Sequence, residues 1–260
     1  MALKRDPYVL VVGGSDSSGG AGIARDIETI ASIGVRTCLA VTAVTVQTHE
    51  AVTAIHHLQP SLVADQMRAA LQANDVAAIK IGMLATAEII VAVAAVLHEN
   101  RHVPTVLDPV LASTSGRALL EAGAIAVMKR NLMPLCCLVT PNLLELAFLV
   151  GAEHATNESD AVRQGQTLLA AGLKALLIKG GHASGPRSTD VLVRADQDPL
   201  RFGTPRLARK MRGTGCVLAS AIAAYQATGE SMEIAVRQAK LLVFEKIRKT
   251  RTGGLLRNVN

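Results

Sequence analysis

The feature that most constrains this chain is an alternation. Short β-branched apolar runs stop at a glycine, a lysine or an acid–proline step, and each is followed by a segment with helical spacing. Residues 8–12 run into Gly13-Gly14-Ser15-Asp16, and residues 23–33 then place Ile23, Ile27 and Ile30 on one helical face before Gly34. Residues 35–46 read as strand, 60–71 as helix, 77–81 as strand and 85–98 as helix. Residues 103–107 form a strand ending at Asp108-Pro109, 118–130 a helix, 135–139 a strand ending at Thr140-Pro141, and 143–150 a short helix. Thr156 or Asn157 caps a helix running to 170, and residues 173–178 form a strand ending at Lys179-Gly180-Gly181. Residues 190–193 and 200–202 suit a hairpin or two edge strands. Gly213-Thr214-Gly215 opens a helix to about 228, and Ser231 caps a last one to about 249. Strands alternating with helices predict a mostly parallel sheet covered on both faces, in one α/β domain over residues 1–260 with a loose tail from about 252. Such sheets bind ligands beyond the carboxyl ends of their strands, where the polar and glycine-rich breaks lie here.

Composition narrows the function. With no Trp, two Tyr and three Phe, the chain lacks the aromatic platforms on which single-stranded nucleic acid stacks. The net charge of +6 is not gathered in one block, so no nucleic-acid partner is expected. Arg206, Arg209, Lys210 and Arg212 stand just before Gly213, where phosphates are welcome. Lys246, Arg248, Lys249 and Arg251 suit a solvated helix end. None of the four cysteines forms a C-x-x-C pair, which argues against a zinc knuckle or a disulfide framework. The N-terminus has no signal-peptide apolar run, and residues 89–97 are too short to span a bilayer. A cytoplasmic protein with no membrane partner is expected.

Two motifs carry chemistry. The stretch from Gly13 to Gly22 is neither G-x-G-x-x-G nor a P-loop. It is either a place where backbone approaches a flat ligand, with Ser15 and Asp16 adding polar contacts, or simply a tight strand-to-helix turn. The second motif is Gly213-Thr214-Gly215-Cys216 at a helix start, where amides and the helix dipole favour an anion such as a transferring phosphoryl group. Cys216, in the first turn, is expected to have a lowered pKa and to accept the proton of an attacking alcohol; its plainer reading is a small buried cysteine.

Taken in order, the motifs resemble the bacterial hydroxymethylpyrimidine kinase/phosphomethylpyrimidine kinase family of thiamine biosynthesis, with its ribokinase-like three-layer sandwich. The matches run from Tyr8 to Glu245. They include Gly14-Ser15-Asp16, Ser18-Gly19-Gly20-Ala21-Gly22-Ile23, Asp26, Thr42-Ala43, Gln47, Lys80-Ile81-Gly82-Met83-Leu84 and Leu107-Asp108-Pro109-Val110. They continue through Ser115-Gly116, Thr140-Pro141-Asn142-Leu143, Glu145, Ile178-Lys179-Gly180-Gly181-His182 and Gly213-Thr214-Gly215-Cys216. The resemblance implies a kinase that uses ATP and Mg²⁺ on a small pyrimidine, and a homodimer. It implies that Gln47 reads the aminopyrimidine, with Gly14, Met83 and Val110 lining the ring pocket, and that Asp26 lies near the reacting hydroxyl. It further implies that Lys179, Asn142 and Thr214 meet the nucleotide, and that Asp108 and Glu145 act on the metal through water. Cys216 becomes the base, and the Gly213 and Gly215 amides the anion hole. Without the resemblance, Met83 and Val110 read as core, Gln47 and Lys179 as strand-end surface residues, Asp26 as a dipole partner, and Asn142 with Glu145 as a helix cap and its first-turn acid.

Three positions depart from the family pattern. Arg212 stands where His is usual, Leu144 where Pro is usual, and the C-terminal glycine-rich segment is reduced to Gly253-Gly254. Two other activities fit the same pattern: a pyridoxal kinase, whose substrate is also a flat ring with a hydroxymethyl group, and a non-catalytic pyrimidine-binding regulator. The regulator would be expected to lose Cys216 or Lys179, and both are present.

Overall fold

The computed structural model describes residues 6–113, 115–181, 185–209 and 211–250. His182, Lys210, Arg251, the tail from 252 and Gly253-Gly254 lie outside the described residues. In chain order the elements are β1 (Tyr8–Asp16), α1 (Gly22–Ala31), β2 (Arg36–Gln47), β3 (Val52–His57), α2 (Pro60–Ala73), β4 (Val76–Ile81), α3 (Ala87–Glu99) and β5 (Thr105–Leu107). There follow α4 (Ala124–Val127), β6 (Leu138–Val139), α5 (Leu143–Val150), α6 (Glu158–Ala170), β7 (Ala175–Ile178), β8 (Arg187–Arg194), β9 (Leu200–Pro205), α7 (Thr214–Ala227) and α8 (Met232–Lys249).

The nine strands form one sheet in the order β3-β2-β1-β4-β5-β6-β7-β8-β9. The central pairings from β2 to β7 are parallel, and the edges, β3 on one side and β8–β9 on the other, are antiparallel. The two-residue period of the strands divides the core. Leu10, Val12, Ile79, Ile81, Leu107, Val139 and Leu176 face α2, α3, α5 and α6. Their neighbours Val9, Val11, Ala78, Val106, Leu138 and Leu177 face α1, α7 and α8. Strands buried on both faces read as continuous apolar runs, which is why they were legible. β1 lies between β2 and β4, so the connections leave it in opposite directions and open a crevice at its carboxyl end.

Two expectations need correction. The helix predicted over 118–130 starts only at Ala124, because Leu119 donates its amide to the Leu111 carbonyl and Leu120 bridges to Ala85, which spends this stretch on a loop. The glycine-rich loop begins later than Gly13: β1 shifts register between Gly13 and Gly14 and keeps pairing with β2 to Asp16.

Candidate active site

The end of the site expected to hold the ring is built where backbone comes closest to side chain. A Cβ on Gly14 would lie 2.9 Å from Met83 Sδ, so Gly14 lets the strand pass directly beside that sulfur. Gly22 (φ +59°) closes the turn: a Cβ there would sit 2.4 Å from the Gly14 carbonyl oxygen, which only glycine tolerates. Met83 clusters with Ala43 and Ala85, and its carbonyl accepts from Thr42 Oγ1 at 2.6 Å. Gln47 is the last residue of β2. Its amide donates to Ser17 Oγ (2.8 Å), and its Oε1 accepts from Thr45 Oγ1 (3.2 Å). Val110 is half-buried just past β5, on the same rim of the sheet. A cavity of about 120 Å³ is lined by Gln47, His49, Glu50, Ser113, Ser115 and Arg212 among others.

The end expected to hold phosphate is built by the ends of β5 and β7 and the starts of α5 and α7. Lys179 Nζ bonds Asp108 Oδ1 at 2.7 Å and lies 3.5 Å from Glu145 Oε2. Burial works against this ammonium, but Asp108 and Glu145 outweigh it and hold the lysine protonated. Burial, with Asp108 nearby, lifts the Glu145 carboxyl above the usual carboxylate range against the pull of Lys179. Asn142 and Glu145 form a capping box: Asn142 Oδ1 accepts from the Glu145 amide (2.9 Å), and Glu145 Oε2 accepts from the Asn142 amide (2.7 Å). The plainer reading of Asn142 as a cap therefore describes its side-chain oxygen. α7 starts at Thr214 after Gly213, which has φ +71° and accepts from the Val217 amide. A Cβ on Gly215 would stand 3.3 Å from both Lys179 Nζ and Asp108 Oδ2, so the open face of this helix start looks onto the Lys179–Asp108 pair. Two hard carboxylate oxygens flanking the phosphate end suit a Mg²⁺ ion that keeps most of its waters. Among the described residues no cluster of three His, Cys, Asp or Glu offers an all-protein cage.

Behind this face lies a layer that the sequence reading missed. Lys80 is fully buried and pairs with Asp26 at 2.7 Å; Ser220, one helical turn after Cys216, donates to Asp26 Oδ1 at 2.7 Å. A Cβ on Gly82 would meet Lys80 Nζ at 2.9 Å, so this glycine makes room for the ammonium. A lysine between two isoleucines on a central strand was the available signal, because such a charge must find a buried partner. Asp26, expected near the reacting hydroxyl, is held by Lys80 and Ser220 and lies close enough to act on the Cys216 thiol. Its orientation is set by a fully buried ion pair, because an ammonium there tolerates no other arrangement.

The expected low pKa of Cys216 is overturned. Burial pushes its thiol up to about 11. Lys80 and the Gly22 amide favour the thiolate, but the Asp26 and Asp108 carboxylates act with burial against it, and the helix dipole does not reverse the balance. Near neutral pH the sulfur therefore carries its proton. Iodoacetamide is therefore expected to label Cys216 slowly in the native unliganded protein, with a rate that climbs with pH; the other three cysteines are also raised by burial. Peptide-resolved mass spectrometry checks this. Fast labelling of Cys216 near neutral pH would show that the charges outweigh burial.

The phosphomethylpyrimidine kinase family model matches residues 16–257. The chain is 38% identical over 232 residues to the Escherichia coli hydroxymethylpyrimidine/phosphomethylpyrimidine kinase, covering 89% of this chain and 87% of that one. The chain belongs to the phosphomethylpyrimidine kinase family. It acts as a hydroxymethylpyrimidine/phosphomethylpyrimidine kinase of thiamine biosynthesis. Its ribokinase-like fold matches the crystal structure of phosphomethylpyrimidine kinase from Clostridium difficile with a TM-score of 0.80 and 33% identity, over 94% of this chain and 100% of that one. The structure of the Staphylococcus aureus pyridoxal kinase in complex with AMP-PCP and pyridoxal matches with a TM-score of 0.86 and 28% identity, over 95% and 90%. Among the described residues no helix of the kinase is long and apolar enough to cross a membrane.

Proposed function

We propose that the kinase, as one domain, moves the γ-phosphoryl group of ATP onto the hydroxymethyl oxygen of 4-amino-5-hydroxymethyl-2-methylpyrimidine, and then onto the phosphate of the product. The observation that carries this reading is the approach of the α7 start to Lys179: a Cβ on Gly215 would stand 3.3 Å from its Nζ, and Gly22, whose amide favours the Cys216 thiolate, packs on the Gly14 carbonyl. Gln47 presents a donor and an acceptor side by side, which suits an amino group next to a ring nitrogen. Gly14, Met83 and Val110 supply the close apolar walls. In the first transfer the alcohol oxygen attacks the γ-phosphorus, the bond to the β–γ bridging oxygen breaks, and ADP leaves. The equatorial oxygens then lie against the Gly213 and Gly215 amides, with Thr214 and Asn142 beside the nucleotide phosphates and Lys179 following the charge. Cys216 takes the alcohol proton late, when the oxygen has become acidic, so a weakly available base suffices. Asp108 and Glu145, which flank Lys179, would hold a Mg²⁺ ion, and that ion would supply positive charge to the nucleotide phosphates. Asp26 supports the α7 start from behind through Ser220.

The S. aureus relative, solved with a nucleotide analogue and pyridoxal, supports a nucleotide and a flat ring sharing this fold. A homodimer in the cytoplasm belongs to the same reading; exposed Val44 and Val46 on the outer hairpin give such a dimer apolar surface. Purified kinase assayed with the pyrimidine alcohol, its monophosphate and pyridoxal tests the substrate. Equal or better turnover of pyridoxal would move the assignment to the pyridoxal kinases. Gln47→Ala is expected to raise the pyrimidine KM by about 10-fold, the worth of a paired amide contact, and to leave basal ATP hydrolysis nearly unchanged. An unaltered pyrimidine KM would remove Gln47 from the pocket.

A further inference from the structure

Arg212 sits at the junction of the two halves of the site. It directly precedes Gly213, and its Nη1 reaches two separate segments: it donates to Ser18 Oγ (3.2 Å) on the glycine stretch, and to the Thr48 carbonyl (3.2 Å) and His49 Nδ1 (3.1 Å) on the β2–β3 turn. A Cβ on Gly20 would lie 3.0 Å from the same nitrogen, so the glycine stretch passes directly beneath the guanidinium. Nη2 stands 3.5 Å from Asp16 Oδ2, an ion-pair separation too long for a good hydrogen bond, and that oxygen is buried without a hydrogen-bond partner among the described residues. Among the described residues, Nε and Nη2 donate no hydrogen bond. One side of the fork thus clips the β2–β3 turn in place while the other keeps N–H capacity. The guanidinium lines the 120 Å³ cavity together with Gln47, and Ser113 and Ser115 offer hydroxyls from another part of the wall.

We infer that Arg212 receives the phosphate of a phosphorylated acceptor and so selects for the second transfer. The inference rests on the two-step reading above and concerns its second step. In the first step the acceptor is a neutral alcohol. In the second it is a phosphate monoester carrying about −1.5 to −2 charges, and it must approach another anion. A monoester oxygen attacks the γ-phosphorus, a P–O–P bond forms, the β–γ bridging bond breaks, and ADP leaves; the dianion has no proton to lose. What this step needs is fixed positive charge between the ring pocket and the anion hole. Lys179 is already held by Asp108 and Glu145. Arg212 keeps its charge at every working pH, and its planar fork matches phosphate oxygens. The acid in the cavity wall, Glu50, is exposed on the turn, and Asp16 holds the guanidinium only at the longer distance.

The test compares kcat/KM for the alcohol and for its monophosphate in wild type and Arg212→Gln, which removes the charge and keeps a hydrogen-bonding amide. The ratio of the monophosphate value to the alcohol value is expected to fall about 10- to 100-fold, the worth of charge-assisted hydrogen bonds. An unchanged ratio overturns the inference, whether both values fall together or neither does. Wild type that accepts the alcohol alone overturns it too but leaves the first step standing, whereas wild type that accepts neither overturns the proposed function itself. A second measurement needs no variant: phenylglyoxal modification of Arg212 in wild type, followed by peptide mass spectrometry, is expected to be slowed by the monophosphate and not by the alcohol. Equal rates with both ligands also overturn the inference.

Discussion

Cys216→Ala is expected to lower kcat for the pyrimidine alcohol by about 10²- to 10⁴-fold, the range for a positioned proton acceptor. The pyrimidine KM is expected to stay within about threefold, because on the proposed reading the thiol acts on the reacting oxygen while Gln47, Gly14 and Met83 hold the ring. The pH dependence separates this role from simple packing. Burial, together with Asp26 and Asp108, places the thiol at about 11, so near neutral pH the sulfur carries its proton. The basic form then grows about tenfold for each pH unit below that value. Where chemistry limits turnover, kcat of the wild type should rise through the alkaline range, and kcat of the alanine variant should be flat. The second transfer, whose acceptor has no proton to give up, should lose much less in the variant. ADP release measured with each acceptor across pH decides the matter; an alanine variant that turns over the alcohol normally would show that solvent takes the proton.

The second large effect is structural. Lys80→Met is expected to destabilise the fold by about 3–5 kcal/mol, the cost of stranding one member of a buried ion pair. Lys80 and Asp26 are each about 1% exposed, so neither charge has water as an alternative partner. Burial already works against the Asp26 carboxylate with the lysine present. Without it, the folded-state pKa of Asp26 climbs further above its unfolded value, the folded state binds more protons than the unfolded one, and stability falls as pH rises through that window. The variant should therefore lose least in mild acid. Lys80→Met combined with Asp26→Asn should recover part of the loss, because the amide leaves no charge and can still accept from Ser220. Urea unfolding midpoints of the two variants and the wild type check this. A Lys80→Met protein as stable as wild type would mean that water reaches the pair. Because Ser220 ties Asp26 to α7, the single variant should also loosen the helix start that carries Cys216 and so lower kcat.

These two residues mark the limit of what could be read in advance. Cys216 announces itself by position, after Gly213-Thr214-Gly215, and the motif sufficed to place it at a helix start. Its protonation state did not follow from position. The helix-start rule speaks for a lowered pKa, and the burial and two neighbouring carboxylates that win come from α1 and the residue just past β5, far away in the chain. Lys80 sat inside a motif but had no visible partner, because Asp26 lies 54 positions earlier. Arg212 was legible as a departure, but its reach to Ser18, Thr48 and His49 was not.

By itself, the sequence determined the order and kind of the elements, the sheet with helices on both faces, and the rim on which polar residues gather. Those properties depend on periodicity, caps and breaks within a few residues of one another, and local physics is written locally. The folded chain alone decided which charges face which. Lys179 against Asp108 and Glu145, Lys80 against Asp26, and Arg212 across the turn beside Gln47 are meetings of distant segments. Their energies depend on burial and on distances of a few ångströms that no local pattern encodes.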